Sequence, residues 1–132
     1  MIKKVYPAIF TTDPVGFDIL FPDVEGAVTQ GEDITDGLEM ASDVLGIMLA
    51  DLIERGENLP EPTPLNDVKF DKGTQFVTLV SVELSEYLKM NEPVKKTLQI
   101  PKWADKIGQE MKINFSQTLT EAIAEKATKK RA

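Results

Sequence analysis

Carboxylates are the only conventional acid–base groups this chain could use near neutral pH, because it contains no histidine and no cysteine. That composition excludes disulfides, a thiolate zinc site, a cysteine nucleophile and a Ser-His-Asp triad. Asp13, Asp18, Asp23 and Glu25 lie in or beside the first predicted turns. Paired carboxylates can hold Mg²⁺ for phosphoryl chemistry, provided that they converge in space. Asp18 falls on the polar face of a predicted strand, whereas the other three sit on turns. No lysine stands beside them and no phosphate-binding loop is present. The spacing favours a solvated or partner-facing acidic rim over a metal-dependent nuclease. The sequence calls for no catalytic residue and no cofactor.

A second set of residues points to recognition. In the segment 94–101, Lys95, Thr97 and Gln99 alternate with Leu98 and Ile100, so a strand here would carry the polar triplet on one face. Lys pairs with guanine, Gln with adenine, and Thr with several base edges, and a two-stranded β-ribbon fits the DNA major groove. The start of a helix at Asn114, running through Ser116 to Gln117, offers backbone N–H groups to a phosphate. Lys95, Thr97, Gln99, Asn114 and Ser116 are the candidate DNA contacts.

The elements that must position these residues divide the chain of 132 residues into two parts of opposite charge. Residues 1–93 hold 6 Lys+Arg against 18 Asp+Glu, a net of −12, and residues 94–132 hold 9 against 4, a net of +5. An acidic body steers basic partners, and a small basic module is the footprint of a nucleic-acid binder. No apolar run approaches the ~20 residues of a membrane helix. The polar start lacks the apolar core of a signal peptide. With the absence of cysteine, these features fit a cytoplasmic protein without a membrane role.

The first part reads as α+β. Val5–Thr11, rich in β-formers, Phe17–Phe21, which alternates, and the shorter Ala27–Gln30 read as three strands of an antiparallel meander, separated by Asp13-Pro14-Val15-Gly16 and Pro22-Asp23-Val24-Glu25-Gly26 turns. A long helix then opens with Asp33 as N-cap and ends before Gly56. Ile34, Leu38, Ala41, Leu45, Met48, Leu49, Leu52 and Ile53 form its apolar stripe, with Met40 and Met48 read as core filler. Gly37 and Gly46 weaken the helix and leave room for close packing on the sheet. Pro60, Pro62 and Pro64 impose a non-helical connection. Gln75–Val82 is apolar on both faces, as in a strand buried on both sides. Glu83–Met90 reads as a short helix and Asn91-Glu92-Pro93 as the linker. The unit is β-β-β-α-β over residues 1–90.

The second part, residues 94–132, reads as strand–helix–helix. Pro101 suits the start of the first helix, whose apolar residues are Trp103, Ala104, Ile107 and Met111. Asn114 with Gln117 makes a capping-box pattern for the second, whose stripe is Phe115, Leu119, Ala122 and Ile123. Trp103 is expected in the core. A module of about 35 residues buries too little apolar surface to fold alone, so it is expected to dimerise by pairing its strand with that of a second copy. Whether such dimers pair into a tetramer through the sheet body is left open.

Several stretches resemble HicB-type antitoxins. They are Tyr6-Pro7-Ala8-Ile9-Phe10, Phe21-Pro22-Asp23-Val24-Glu25-Gly26-Ala27-Val28-Thr29-Gln30-Gly31, Ala41-Ser42-Asp43-Val44-Leu45-Gly46 and Leu59-Pro60-Glu61-Pro62. Lys96-Thr97-Leu98-Gln99-Ile100-Pro101 followed by Asn114-Phe115-Ser116 resembles the ribbon-helix-helix tail of one branch of that family. The resemblance implies a partial, inactive RNase H-like body that neutralises a HicA-type mRNA-cleaving ribonuclease toxin. It also implies a C-terminal ribbon-helix-helix dimer that binds operator DNA and represses its own operon, which would place the protein at the nucleoid. On that reading Asp13, Asp18, Asp23 and Glu25 are the candidate toxin contacts. The rival reading is a stand-alone ribbon-helix-helix regulator whose N-terminal domain senses a small ligand.

Overall fold

Alternation sets the faces of the sheet. The structure is a computed structural model and describes residues 2–88 and 93–128. Strands β1 (Lys3–Asp13), β2 (Gly16–Leu20), β3 (Val28–Gly31) and β4 (Gln75–Glu83) form one antiparallel sheet in the order β3-β2-β1-β4. Helix α1 (Ile34–Glu54) packs on one face of it. Tyr6, Ala8 and Phe10 of β1, Ile19 of β2 and Val80 and Val82 of β4 meet Ala41, Leu45 and Leu49 of α1 in a single core. Phe10, Phe17 and Phe76 add an aromatic cluster at one end, with ring centroids 4.9 to 5.8 Å apart. The predicted β-β-β-α-β order is present.

The ends of α1 follow from capping. Asp33 Oδ1 accepts from the Asp36 N–H at 2.8 Å, and Asp36 Oδ2 accepts from the Glu32 N–H at 2.8 Å. At the other end Gly56 adopts φ 74°, the left-handed region where glycine carries no Cβ penalty. Its N–H reaches the Ile53 carbonyl and that of Glu57 reaches Leu52, closing the helix.

The buried stripe of α1 differs from the expected one. Gly37, Ala41, Leu45, Gly46, Leu49 and Ala50 are buried, whereas Ile34, Leu38 and Met40 are exposed. The reason is close approach. A Cβ on Gly37 would come within 2.9 Å of the Phe10 ring, so the first turns rest on the sheet through bare backbone. Apolar periodicity alone cannot register such a contact; the close packing expected at the two glycines is present against the sheet at Gly37, whereas Gly46 meets the Tyr87 ring instead.

Three further expectations change. β4 was expected to be covered on both faces, but α1 supplies one layer only, and Leu79 on the opposite face is 51% exposed. Glu83–Met90 contains a single 3₁₀ turn at Leu84–Glu86 rather than a helix; its last residues and the predicted linker at 91–92 lie outside the described residues. Residues 93–100 form no strand in the single chain. A strand exists only through its ladder, and the chain alone offers this segment no partner strand among the described residues.

The C-terminal helices are α2 (Lys102–Glu110), with Pro101 at its N-cap, and α3 (Phe115–Thr128). Gly108 is buried, and a Cβ there would overlap the Phe115 ring, so glycine sets the approach of the two helices. Lys112 turns the chain between them at φ 56°. Asn114 caps α3 by accepting from the Gln117 N–H at 3.0 Å, but the Gln117 side chain donates to Glu121. Only half of the predicted capping box forms.

Candidate functional site

The four carboxylates singled out in the sequence do not converge on one site, although Asp23 and Glu25 line the same cleft. Asp13 closes the two-residue β1–β2 hairpin loop, its Oδ1 accepting from the Val15 N–H at 2.8 Å. Asp18 lies on the open face of the sheet, paired across β2 with Thr11 and Gln30. Glu25 is exposed and lines a cleft with Met48, Leu52, Arg55 and Glu57. Asp23 is committed to the fold: its two oxygens accept from the backbone N–H and the hydroxyl of Thr63. Among the described residues no group of three or more carboxylates is arranged to hold a metal ion.

Asp23 belongs to a strap. The proline-rich run after α1 is held where Thr63 meets Asp23 and where the Tyr6 hydroxyl donates to the Pro60 carbonyl at 2.6 Å. Burial, and then the nearby Glu61 and Asp23 carboxylates, push the Tyr6 phenol up to about 12. At the far rim, Glu83 Oε2 accepts from the Ile2 N–H at 2.6 Å and from Ser85, and the Ile2 amide is the main cause holding its carboxyl below the usual value.

The acidic surface that the residue list missed is the outer side of α1. Asp36, Glu39, Asp43, Asp51 and Glu54 all belong to this helix, which contains no Lys or Arg. Like charges three and four residues apart repel, and carboxylates in the last turn oppose the negative end of the helix dipole. Arg55, just past the helix, offsets part of this by pairing with Asp51 at 2.9 Å and Glu57 at 2.7 Å. Met40 and Ile47 stand exposed among these carboxylates. Asp43 accepts from the Tyr87 hydroxyl at 2.9 Å, and Tyr87 packs against the backbone at Gly46. Burial and the Asp43 carboxylate raise the Tyr87 pKa. Placing charged residues, rather than apolar ones, on the 3.6-residue period would have exposed this ridge.

In the C-terminal module, Lys95, Thr97 and Gln99 are exposed, as are Asn114 and Ser116 at the start of α3. The apolar side chains are exposed too. Leu98, Ile100, Ile107, Phe115, Leu119 and Ile123 all remain open to solvent in the single chain. Trp103, expected in the core, is 68% exposed. Two helices and an unpaired segment enclose no interior of their own, so among the described residues nothing covers Trp103 on α2.

The described residues thus comprise an acidic α+β body with an acidic helix ridge, joined to a basic helical module whose apolar side is uncovered. Residues 6–124 match the model of the HicB-like antitoxins of bacterial toxin–antitoxin systems. A chain of the toxin–antitoxin complex from Streptococcus pneumoniae is 44% identical, with a TM-score of 0.62 over 95% of this chain and 99% of that one. The antitoxin HicB3 is 25% identical, with a TM-score of 0.58 over 93% and 97% of the two chains. Antitoxin HicB of Escherichia coli K12 is 37% identical over 62 residues, 46% of this chain. That match spans about half the length of the curated relative, 45%. The chain belongs to the HicB-like antitoxin family.

Proposed function

We propose that the chain is a non-catalytic antitoxin that binds and neutralises a HicA-type ribonuclease toxin and represses its own operon by binding operator DNA. The observation that carries the first half is the outer side of α1, where five carboxylates without a Lys or Arg in the helix surround two exposed apolar residues. Such a surface suits a small basic protein, with charge steering the encounter and the apolar pair anchoring it. Asp13, Asp18 and Glu25 serve as outlying toxin contacts, while the Asp23 oxygens hold the strap.

The second half rests on the C-terminal module. Residues 1–90 act as a partial RNase H-like toxin-binding domain, and residues 94–132 as a ribbon-helix-helix domain. Pairing residues 94–100 of two copies would give each segment the ladder it lacks and cover Leu98, Ile100 and the apolar sides of α2 and α3. The opposite face of that ribbon would present Lys95, Thr97 and Gln99 twice to base edges, with Asn114 and Ser116 beside a phosphate.

Tagged protein purified from its native cytosol and analysed by intact mass tests the toxin reading. A stoichiometric small basic protein is expected; a homo-oligomer without one would overturn it. Glu39→Lys combined with Ile47→Lys lowers affinity for that partner roughly tenfold or more at low salt. Unchanged affinity would remove the ridge from the interface. For DNA, Gln99→Ala relaxes sequence preference by ~1–3 kcal/mol at one base position. An equal loss on every sequence would make Gln99 a backbone anchor instead.

A further inference from the structure

One edge of the sheet is left open. β4 is nine residues long and stands last in the order β3-β2-β1-β4, with no strand beyond it among the described residues. Its ladder to β1 uses the even-numbered residues. Just past one end the Leu84 N–H donates to the Ile2 carbonyl at 2.8 Å, and just past the other the Thr12 N–H donates to the Thr74 carbonyl at 2.9 Å. Backbone groups alternate in direction along an antiparallel strand, so Gln75, Val77, Leu79 and Ser81 point theirs outward. Two of these groups are taken. The Gln75 N–H reaches the Asp71 carbonyl at 2.7 Å, and the Ser81 carbonyl accepts from the Ser42 hydroxyl of α1 at 2.7 Å. Between them the N–H and carbonyl of Val77 and the N–H groups of Leu79 and Ser81 have no partner among the described residues, and the Leu79 carbonyl meets only the Thr78 hydroxyl at 3.5 Å.

Natural sheet edges are blunted by shortness, by Lys or Pro, or by a bulge. β3, at the opposite edge, is four residues long. β4 has none of these devices. Gln75–Glu83 contains no Lys and no Pro, and its register with β1 runs unbroken over all nine residues. An edge this long and bare is a template for one more strand. Charge decides whose. Ser42 is an α1 residue whose side chain reaches the edge, and the exposed Glu39 and Asp43 lie one turn apart beside it. Two copies pairing edge to edge would bring these carboxylates together, in a part of the chain with net charge −12. A strand from a basic protein would bring opposite charge to them.

We infer that the outer edge of β4, from Val77 to Ser81, receives an extended strand of the small basic partner by main-chain pairing, adding a fifth strand to the sheet beside the carboxylates of α1. The inference rests on the toxin reading proposed above and gives it a second, different kind of contact. Main-chain hydrogen bonds supply affinity without regard to side chains, and the α1 carboxylates select a basic strand over an acidic one. Substitution at Val77 separates main chain from side chain. Proline there removes the outward N–H and no bond to β1, a position at which an edge strand tolerates it. Threonine keeps the N–H and the branched shape.

Hydrogen exchange followed by NMR on the full-length chain, free and in complex with the small basic protein that copurifies with it, tests this. The Val77, Leu79 and Ser81 amides are expected to exchange fast in the free chain and roughly a hundredfold more slowly in the complex. Those of Phe76, Thr78 and Val80, bonded to β1, are slow in both. Protection confined to the odd-numbered residues is the signature of an added strand, which a contact through side chains alone does not produce. Val77→Pro weakens the complex roughly tenfold or more, and Val77→Thr leaves it unchanged. Circular dichroism establishes that each variant is folded, and the exchange pattern of the wild-type chain decides the outcome if Val77→Pro is not. Val77 and Leu79 amides that exchange equally fast free and bound overturn the inference and leave the toxin reading standing. So does a folded Val77→Pro with wild-type affinity, or an equal loss in Val77→Pro and Val77→Thr. Edge amides already slow in the free chain would assign the edge to a second copy or to the chain's own residues 94–100, and also overturn it. A wild-type chain that captures no small basic protein overturns the inference and the toxin reading together.

Discussion

Single side chains tie the edges of the body to its centre. The Tyr6 hydroxyl is the clearest case, because it joins β1 to the proline-rich strap through the Pro60 carbonyl. Tyr6→Phe costs about 1 kcal/mol, the usual worth of one such hydrogen bond, measurable by urea unfolding. The same residue sets an alkaline limit. Its native pKa, about 12, lies above the ordinary 10.0, so the protonated phenol is favoured in the folded state. That contribution is complete below pH 10.0 and is lost as the pH rises toward about 12, so wild-type stability falls across this window more steeply than that of Tyr6→Phe. Glu83 acts at the opposite limit. Its native pKa lies below the ordinary 4.5, so its contribution is present above that pH and is lost as the pH falls through the native value. Glu83→Gln is expected to flatten the acid limb of the stability curve.

At the scale of elements, the contacts that matter are those where a side chain would be in the way. Gly37 lets α1 rest on Phe10, and Gly108 lets α2 meet Phe115. Gly37→Val is expected to destabilise the body by ~1–3 kcal/mol through overpacking, seen as a lower urea midpoint. Lys112 is the reverse case, a side chain in a left-handed turn that glycine would fill without strain. The Ile113 N–H reaches the Gly108 carbonyl at 2.9 Å and the Lys112 N–H reaches Gln109 at 3.1 Å, the two bonds that end a helix at such a turn. Lys112→Gly is expected to stabilise the C-terminal module by about 1 kcal/mol, raising its melting temperature without moving that of the body.

At the scale of the whole molecule, the charge split frames the proposed function. The acidic body suits a basic protein and the basic module suits DNA, so the two bindings proposed above are expected to weaken together as salt rises, because both join opposite charges. Removing residues 94–132 is expected to leave a folded body that still captures the toxin but no longer binds operator DNA or dimerises. Loss of toxin capture in a folded truncation would place part of the toxin surface on the C-terminal module. No described helix is long and apolar enough to cross a membrane.

Local pattern was enough for the elements. β-formers, one alternating run and the turns between them placed the first three strands, Asp33 and Gly56 bounded α1, and Asn114 capped α3, because each signal lies within a few residues of the structure it creates. The resemblance in motif order was sufficient for the family. Other features depended on residues far apart in the chain. Asp23 reads as a free carboxylate until Thr63 folds back onto it, forty residues away. Leu79 reads as buried until the sheet proves to have one layer, and Trp103 reads as core until α2 proves to have no cover. Sequence spacing encodes which way a residue faces along its own element. Only the packing of elements decides what, if anything, stands opposite it.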